Sequence, residues 1–205
     1  MSRMPFVHIP WGIYSVVSKC NNSEFMFDSS DKFDLYIKHL LFCKQRMGFK
    51  MFDMVCMSNH VHEIYQVTEK VTISNILQRV KGGFARIYNA KYSRQHHFWK
   101  NKPFYRCIQN EIYMYASMNY FHWNPVRAGM VTHPSQWPYS GYQVHIMKKR
   151  SGPMIRLLDP VPGYSDEPDE YFFMIKRLKE IISAKGKRFI GDEIYCKEMH
   201  EKYYG

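Results

Sequence analysis

Two histidines separated by one residue, His60 and His62, stand in an apolar run that starts at Phe52 and ends at Val67. In a strand, residues i and i+2 share a face, so both imidazoles would point the same way from neighbouring origins. That spacing suits two ligands of one divalent ion, because neutral imidazole donates a lone pair without cancelling the ion's charge. A third protein ligand is then expected. The helix that contains Tyr120 and Asn124 offers one, since residues i and i+4 lie on one helical face. An Asn124 oxygen on the ion would hold the Tyr120 hydroxyl one turn away. A divalent ion polarises a phosphodiester oxygen, and a phenol beside it is placed for in-line attack. With an ordinary pKa of about 10, the phenol is a poor nucleophile until its proton leaves, and Lys81 or Arg127 would ease that loss. The products would be a covalent phosphotyrosine and a free 3′-hydroxyl, with the bond energy kept for a joining step. Spacing alone leaves the choice of phenol open: the chain has 16 tyrosines, and Tyr113 and Tyr115 share the helix. His96-His97 is a weaker metal pair, because adjacent strand residues diverge.

Charge points to the same kind of substrate. Residues 1–67 carry 7 basic and 6 acidic side chains, residues 68–158 carry 14 and 2, and residues 159–205 carry 8 and 10. A middle third with a net charge of +12 predicts a polyanionic partner and salt-sensitive binding. Arg79, Lys81, Arg86, Lys91, Arg94, Lys100, Lys102, Arg106 and Arg127 are the candidate DNA contacts. Within 92–106 the basic residues are interleaved with aromatics, which pairs phosphate contacts with base stacking. The alternative is that those aromatics pin a long loop to the core.

The elements that must position these groups can be read from periodicity. Residues 11–19 read as a strand, Asn21-Asn22-Ser23 as a turn. A helix follows, with Phe33, Ile37, Leu40 and Leu41 at helical spacing and Gly48 as its stop. Residues 49–57 form a second strand, Ser58-Asn59 a tight turn, and 60–67 a third strand that begins with the histidines. Thr72 caps a second helix whose polar side shows Arg79, Lys81, Arg86 and Lys91. Gly82-Gly83 within it allows a kink or close packing, or is simply tolerated. Phe104–Ile108 supplies a fourth strand, and a third helix runs from about Asn110 to Trp123, ending at Asn124-Pro125. This order predicts an α+β sandwich with helices packed on a central antiparallel sheet. Lys148-Lys149-Arg150 looks like the edge of the main domain. Beyond an acidic linker, Tyr171, Phe172, Ile175, Leu178, Ile181 and Ile182 make an amphipathic helix, and 187–204 has room for another.

A hydrophobic content of 45% and an aromatic content of 17% exclude a wholly disordered chain. No apolar run of about 18 residues is present, which predicts no membrane-spanning helix. The first ten residues lack the apolar core of a signal peptide, so a cytoplasmic protein is expected, nucleoid-associated when bound to DNA. Five cysteines, widely spaced and odd in number, read as reduced and mostly buried.

The segments Met57-Ser58-Asn59-His60-Val61-His62, Tyr120-Phe121-His122-Trp123-Asn124-Pro125-Val126-Arg127-Ala128-Gly129 and Trp137-Pro138-Tyr139-Ser140 together resemble the IS200-like Y1 transposases. They are closest in pattern to the REP-associated tyrosine transposases. The resemblance covers roughly residues 5–145. It implies an RRM- or ferredoxin-like fold, with residues 1–150 as the catalytic domain and 151–205 as a linker and helical extension. It implies that His60 and His62 bind Mg²⁺ or Mn²⁺ with help from Asn124, and that Tyr120 is the nucleophile. The implied substrate is single-stranded DNA near a hairpin, handled by a monomer or a homodimer through a 5′-phosphotyrosine. Three departures stand out. Ser58 replaces a usual proline, Glu63 stands where leucine is usual, and Trp137-Pro-Tyr-Ser replaces Trp-Ser-Ser. In a regular strand Glu63 faces away from the metal side; near the edge it could serve as an extra ligand. Two rival readings are a non-catalytic nucleic-acid-binding module, which predicts that the four site residues are dispersed, and a water-using metal nuclease, which needs more carboxylates near the histidines.

Overall fold

The computed structural model describes residues 8–152, 154–161, 163–164 and 188–204. At its centre lies a sheet of strands β1 (Ile13–Lys19), β2 (Lys50–Cys56), β3 (His60–Gln66), β4 (Phe104–Ile108) and β5 (Phe189–Ile190). The strand order is β2-β3-β1-β4-β5. The first four pair antiparallel, and with the helices between them they form the expected ferredoxin-like β-α-β-β-α-β unit. β5 was not anticipated. It lies parallel to β4 at the edge, with Cys107 opposite Phe189 and Ile108 opposite Ile190.

Helix α1 (Ser30–Met47) follows β1, with Asp31 in its first turn and Lys44 and Arg46 in its last, each matching the sign of the helix dipole there. It ends at Gly48, whose φ of +72° is the left-handed conformation glycine adopts without strain. The second helical stretch comprises α2 (Ile73–Leu77), a π-helical turn over Gln78–Gly82, and α3 (Gly83–Lys91). Thr72 caps it in a reciprocal box with Asn75. Gly83 is there for close packing: a Cβ would come within 2.8 Å of the His39 ring. Helix α4 (Glu111–His122) is capped by Asn110, whose side chain accepts from the Tyr113 N–H. The short helix α5 (Asn124–Arg127) restarts the chain after Trp123, with Pro125 in its first turn. A further turn, α6, spans Tyr142–His145, and α7 spans Glu193–Tyr204.

The two faces of the sheet carry separate cores. Tyr14, Val16, Met54, Cys56, Val61 and Tyr65 pack with Phe33, Tyr36, Leu40, Ile76 and Phe84 of the helices. Val55, Ile64 and Ile108 pack on the other side against Met114, Met118 and Phe121 of α4. A bulge at Phe52 shifts the β2–β3 register between Met51 and Asp53. Met51 therefore stays in the first core opposite Tyr65, while Asp53 pairs with Ile64 on the α4 side.

The free edge of β2 is covered from both ends, which removes an exposed template for strand pairing. Cys56 N–H donates to the Tyr139 carbonyl and Gly141 N–H to that of Met54. Trp137 Nε1 donates to the Cys56 carbonyl at 2.9 Å. This gives the Trp137–Ser140 motif a structural role. At the other end Asp159 bonds the Met51 N–H through its carboxylate and forms a 2.7 Å ion pair with Lys44. Met154, Leu157, Leu158 and Phe189 belong to the first core, so the expected boundary at residue 150 does not separate two cores. These described residues continue the same packing. The expected amphipathic helix around 171–182 lies outside the described residues. All five cysteines are free, and Cys20, Cys43, Cys56 and Cys107 are buried. No helix among the described residues is long and apolar enough to cross a membrane.

Candidate active site

The histidines open β3 on the face that meets α4. Met57 N–H donates to the His60 carbonyl, which closes the tight turn and starts β3 at His60. Regular alternation then puts His60 and His62 on one side, their ring centroids 4.9 Å apart. Glu63 points to the opposite face, where its carboxylate meets Tyr36 and Lys81. It is no extra ligand on the histidine side.

α4 and α5 bring the other partners. The His62 ring lies 4.6 Å from Phe121 and 6.5 Å from the Tyr120 ring, centroid to centroid. Asn124 Nδ2 stands 3.1 Å from His62 Nε2. The helix ends as expected, with Trp123 as its C-cap just before Asn124-Pro125, so Tyr120 and Asn124 lie on either side of a junction. Both still reach His62. Arg127 stabilises that junction: it donates to the Asn124 Oδ1 at 2.6 Å and to the Tyr120 carbonyl, and its guanidinium lies 4.4 Å over the Tyr120 ring. Gly129 closes the turn with a φ of +67°, which explains the glycine that ends the Asn-Pro motif.

Burial holds the His60 imidazole down to about 4, helped by the charge of Lys19. Burial also holds His62 well below its usual value, reinforced by His60, Arg127 and Lys19. Both rings are therefore neutral at pH 7, as metal ligation requires. His60 Nδ1 is 2.6 Å from Asn59 Oδ1, so the ring donates there and leaves Nε2 as the lone-pair nitrogen. Because Arg127 engages the Asn124 oxygen, the amide nitrogen faces His62, which places the His62 lone pair on Nε2. Its Nδ1 is buried without a partner. The donor set comprises two imidazole lone pairs and a carboxamide, and it fits a small divalent ion that takes its remaining ligands from substrate and water. Among the described residues no group of three or more His, Cys, Asp or Glu is placed to hold a metal ion.

Two residues that spacing did not single out belong here. Lys19 lies directly opposite His60 in the β1–β3 register, and Asn59, read as a turn residue, orients the His60 ring. The exposed end of a strand was the only sequence signal for Lys19.

The candidate DNA contacts divide by place. Arg106 is on β4 opposite Ser15, and Phe104 is opposite Val17, which pairs in turn with His62. Arg106 thus shares the histidine face, but it is buried, and desolvation holds its guanidinium down to about 10. Its guanidinium rests 4.3 Å from the Phe104 ring. Lys100 and Lys102 are exposed in the loop before β4. Arg94 forms a 2.8 Å ion pair with Glu24. Arg79, Arg86 and Lys91 are exposed on the α2–α3 layer, the side of the sheet away from the histidines. Lys81 requires a correction. The wider π turn brings both Val80 and Lys81 to the core side, where Lys81 is 3% exposed and paired with Glu63 at 2.5 Å. It cannot meet DNA or assist Tyr120 from there.

No curated protein matches the sequence. Among solved structures, the fold is similar to that of a REP-associated tyrosine transposase bound to a REP hairpin. The TM-score is 0.61 at 19% identity, covering 81% of this chain and 96% of the other. A candidate transposase from Deinococcus radiodurans R1 aligns with a TM-score of 0.43 at 14% identity, over 63% of this chain and 91% of its own. The family model described as IS200-like transposase matches residues 12–122, from the first strand to the end of the tyrosine helix. With more than half of its length matched in this way, the chain belongs to the family of IS200-like transposases.

Proposed function

We propose that this transposase cuts and rejoins single-stranded DNA near hairpins, with Tyr120 as the nucleophile. The Tyr120 oxygen forms a bond to phosphorus as the bond to the 3′-oxygen breaks, leaving a 5′-phosphotyrosine and a 3′-hydroxyl. The phenolic proton leaves and the departing oxygen gains one, so reversal joins the strands. His60, His62 and Asn124 would hold Mg²⁺ or Mn²⁺, which when bound supplies Lewis-acid polarisation of a phosphate oxygen. To serve as an oxygen ligand, Asn124 turns its amide over and releases the contact between its oxygen and Arg127.

One observation carries this reading: His62, on a strand, faces both Asn124 at 3.1 Å and the Tyr120 ring at 6.5 Å. The non-catalytic alternative requires those residues to be scattered. Glu63 points away from the histidines, which favours tyrosine over a carboxylate-activated water. Arg127 brings a positive charge to the Tyr120 face, where phosphate oxygens would lie. Lys19, Lys100 and Lys102 offer further phosphate contacts near the start of β3, and the hairpin held by the structural relative supports the same class of partner.

The test is incubation with hairpin-bearing single-stranded DNA and Mn²⁺ or Mg²⁺, followed by denaturing electrophoresis. The wild type should give a covalent protein–DNA adduct that Tyr120→Phe and metal removal both abolish. An adduct that survives Tyr120→Phe would sink the assignment.

A further inference from the structure

Next to the candidate site lies a second polar cluster that the chemistry above does not use. Its centre is His122, two residues beyond Tyr120 on α4 and fully buried. His122 Nε2 is 3.1 Å from Asp53 Oδ1, and its Nδ1 is 3.0 Å from the Tyr164 hydroxyl. The same hydroxyl donates to Asn119 Oδ1. Asp53 comes from β2 and Tyr164 from the segment after residue 150. Together they hold α4 at positions 119 and 122, one residue before Tyr120 and two after it.

Several features of the fold make room for this cluster. The bulge at Phe52 turns Asp53 to the α4 side, and His145 Nε2 bonds the Phe52 carbonyl at 2.7 Å. Gly141 lies against the carboxylate, where a Cβ would come within 1.9 Å of Asp53 Oδ1. Burying a carboxylate, an imidazole, a phenol and a carboxamide is unfavourable unless each is bonded; Asp53 Oδ2 is buried without a hydrogen-bond partner, and apolar side chains would fill the volume more cheaply. Hydrogen bonds supply what apolar packing does not, a fixed direction. Residues i and i+3 share a helical face, so bonds to Asn119 and His122 set the rotation of α4 about its axis. Side chains of a helix reach about 5–6 Å from its axis, so a turn of about 10° moves their ends by roughly 1 Å. Misplacement of about 1 Å is enough to cost on the order of 10²-fold in rate.

We infer that Tyr164 and Asp53 are positioning residues, which set the rotation of α4 through His122 and Asn119 and so the place of the Tyr120 hydroxyl relative to His60 and His62. The inference rests on Tyr120 as the nucleophile. It also makes the residues matched to the family depend on Tyr164, which lies beyond them.

The experiment is single-turnover adduct formation by the full chain on hairpin-bearing single-stranded DNA with Mn²⁺. It compares the wild type with Tyr164→Phe and with Asp53→Asn. Hydrogen exchange across α4 is measured on the same samples. Tyr164→Phe should slow adduct formation about 10- to 100-fold at saturating DNA, while the DNA concentration for half-maximal rate changes less than about twofold. Asp53→Asn keeps an acceptor oxygen and should lose less. A wild-type saturated rate in Tyr164→Phe, or a loss confined to DNA affinity, overturns the inference. If Tyr164→Phe does not fold, the same rate-against-affinity split in Asp53→Asn decides. If even the wild type forms no adduct, the tyrosine reading fails, and exchange then decides the clamp alone. Amides near Asn119–His122 should exchange at least about tenfold faster in Tyr164→Phe, and unchanged exchange overturns it.

Discussion

Neighbouring residues on β3 serve opposite ends. His60 and His62 face α4, neutral, with lone pairs directed at the site and one ring nitrogen left without a partner. Glu63 faces the helix layer, where Lys81 and Tyr36 bond it and the ring of Trp99 lies under the Lys81 ammonium. The first face carries neutral imidazoles beside Asn124 and Tyr120; the second satisfies a buried charge within the protein. Both depend on the period of two along a strand, which sends adjacent residues to environments of different polarity. A strand can therefore carry a reactive pair on one face while a buried ion pair fixes it from behind.

Breaking the closed face should have the largest effect on stability. Lys81→Met keeps contact with Tyr36 and Trp99 but leaves Glu63 buried without its cation. It should destabilise the protein by about 3–5 kcal/mol in thermal or urea unfolding. Adding Glu63→Leu removes the stranded charge and should restore most of that loss. A double variant no more stable than Lys81→Met would show that the pair matters for more than charge balance. Neither change should alter the metal affinity of the folded protein.

A smaller effect is expected at the open face. Asn59→Ala removes the acceptor that orients His60 and should weaken Mn²⁺ binding about 10- to 100-fold with little change in melting temperature. Titration calorimetry would check it, and an unchanged affinity would show that β3 alone orients the ring.

The smallest effect concerns pH. Burial holds His39, His60 and His145 below the ordinary histidine range. As pH falls below about 6.5 the unfolded chain takes up protons that the folded chain refuses, so stability must fall until the folded rings titrate, for His60 at about 4. For His60 alone the loss between pH 6.5 and 5.5 should be about 1 kcal/mol, or roughly 2–4 °C in the melting temperature of the metal-free protein. His60→Gln should flatten that slope, and an equal slope in the variant would contradict the assigned shift.

The residues differ in how far their sequence revealed them. The histidine pair could be read because its partner interaction is local: two positions in one strand share a face whatever lies around them. The fourth strand, Phe104–Ile108, could be read for a similar reason, from short-range β-forming composition and the need of the topology for a fourth strand. Lys81 was misplaced because a regular helical period puts it outward, and the π turn that brings it inward answers to a carboxylate eighteen positions away. Asp53 gave no signal of its own, since only the bulge at Phe52 and the approach of Gly141 turn it towards His122.

What the sequence determined by itself was the set of local rules: alternation along β3, the stop at Gly48, the cap at Thr72, and the spacing that lets Tyr120 and Asn124 approach one imidazole. Tertiary structure decided everything that depends on which surfaces meet. It joined Phe189–Ile190 to the sheet, closed Glu63 over Lys81, and set Tyr164 against the tyrosine helix. Such contacts link positions far apart in the chain. Their free energy comes from burial and hydrogen bonding between distant side chains, and neither quantity is defined until the chain has folded.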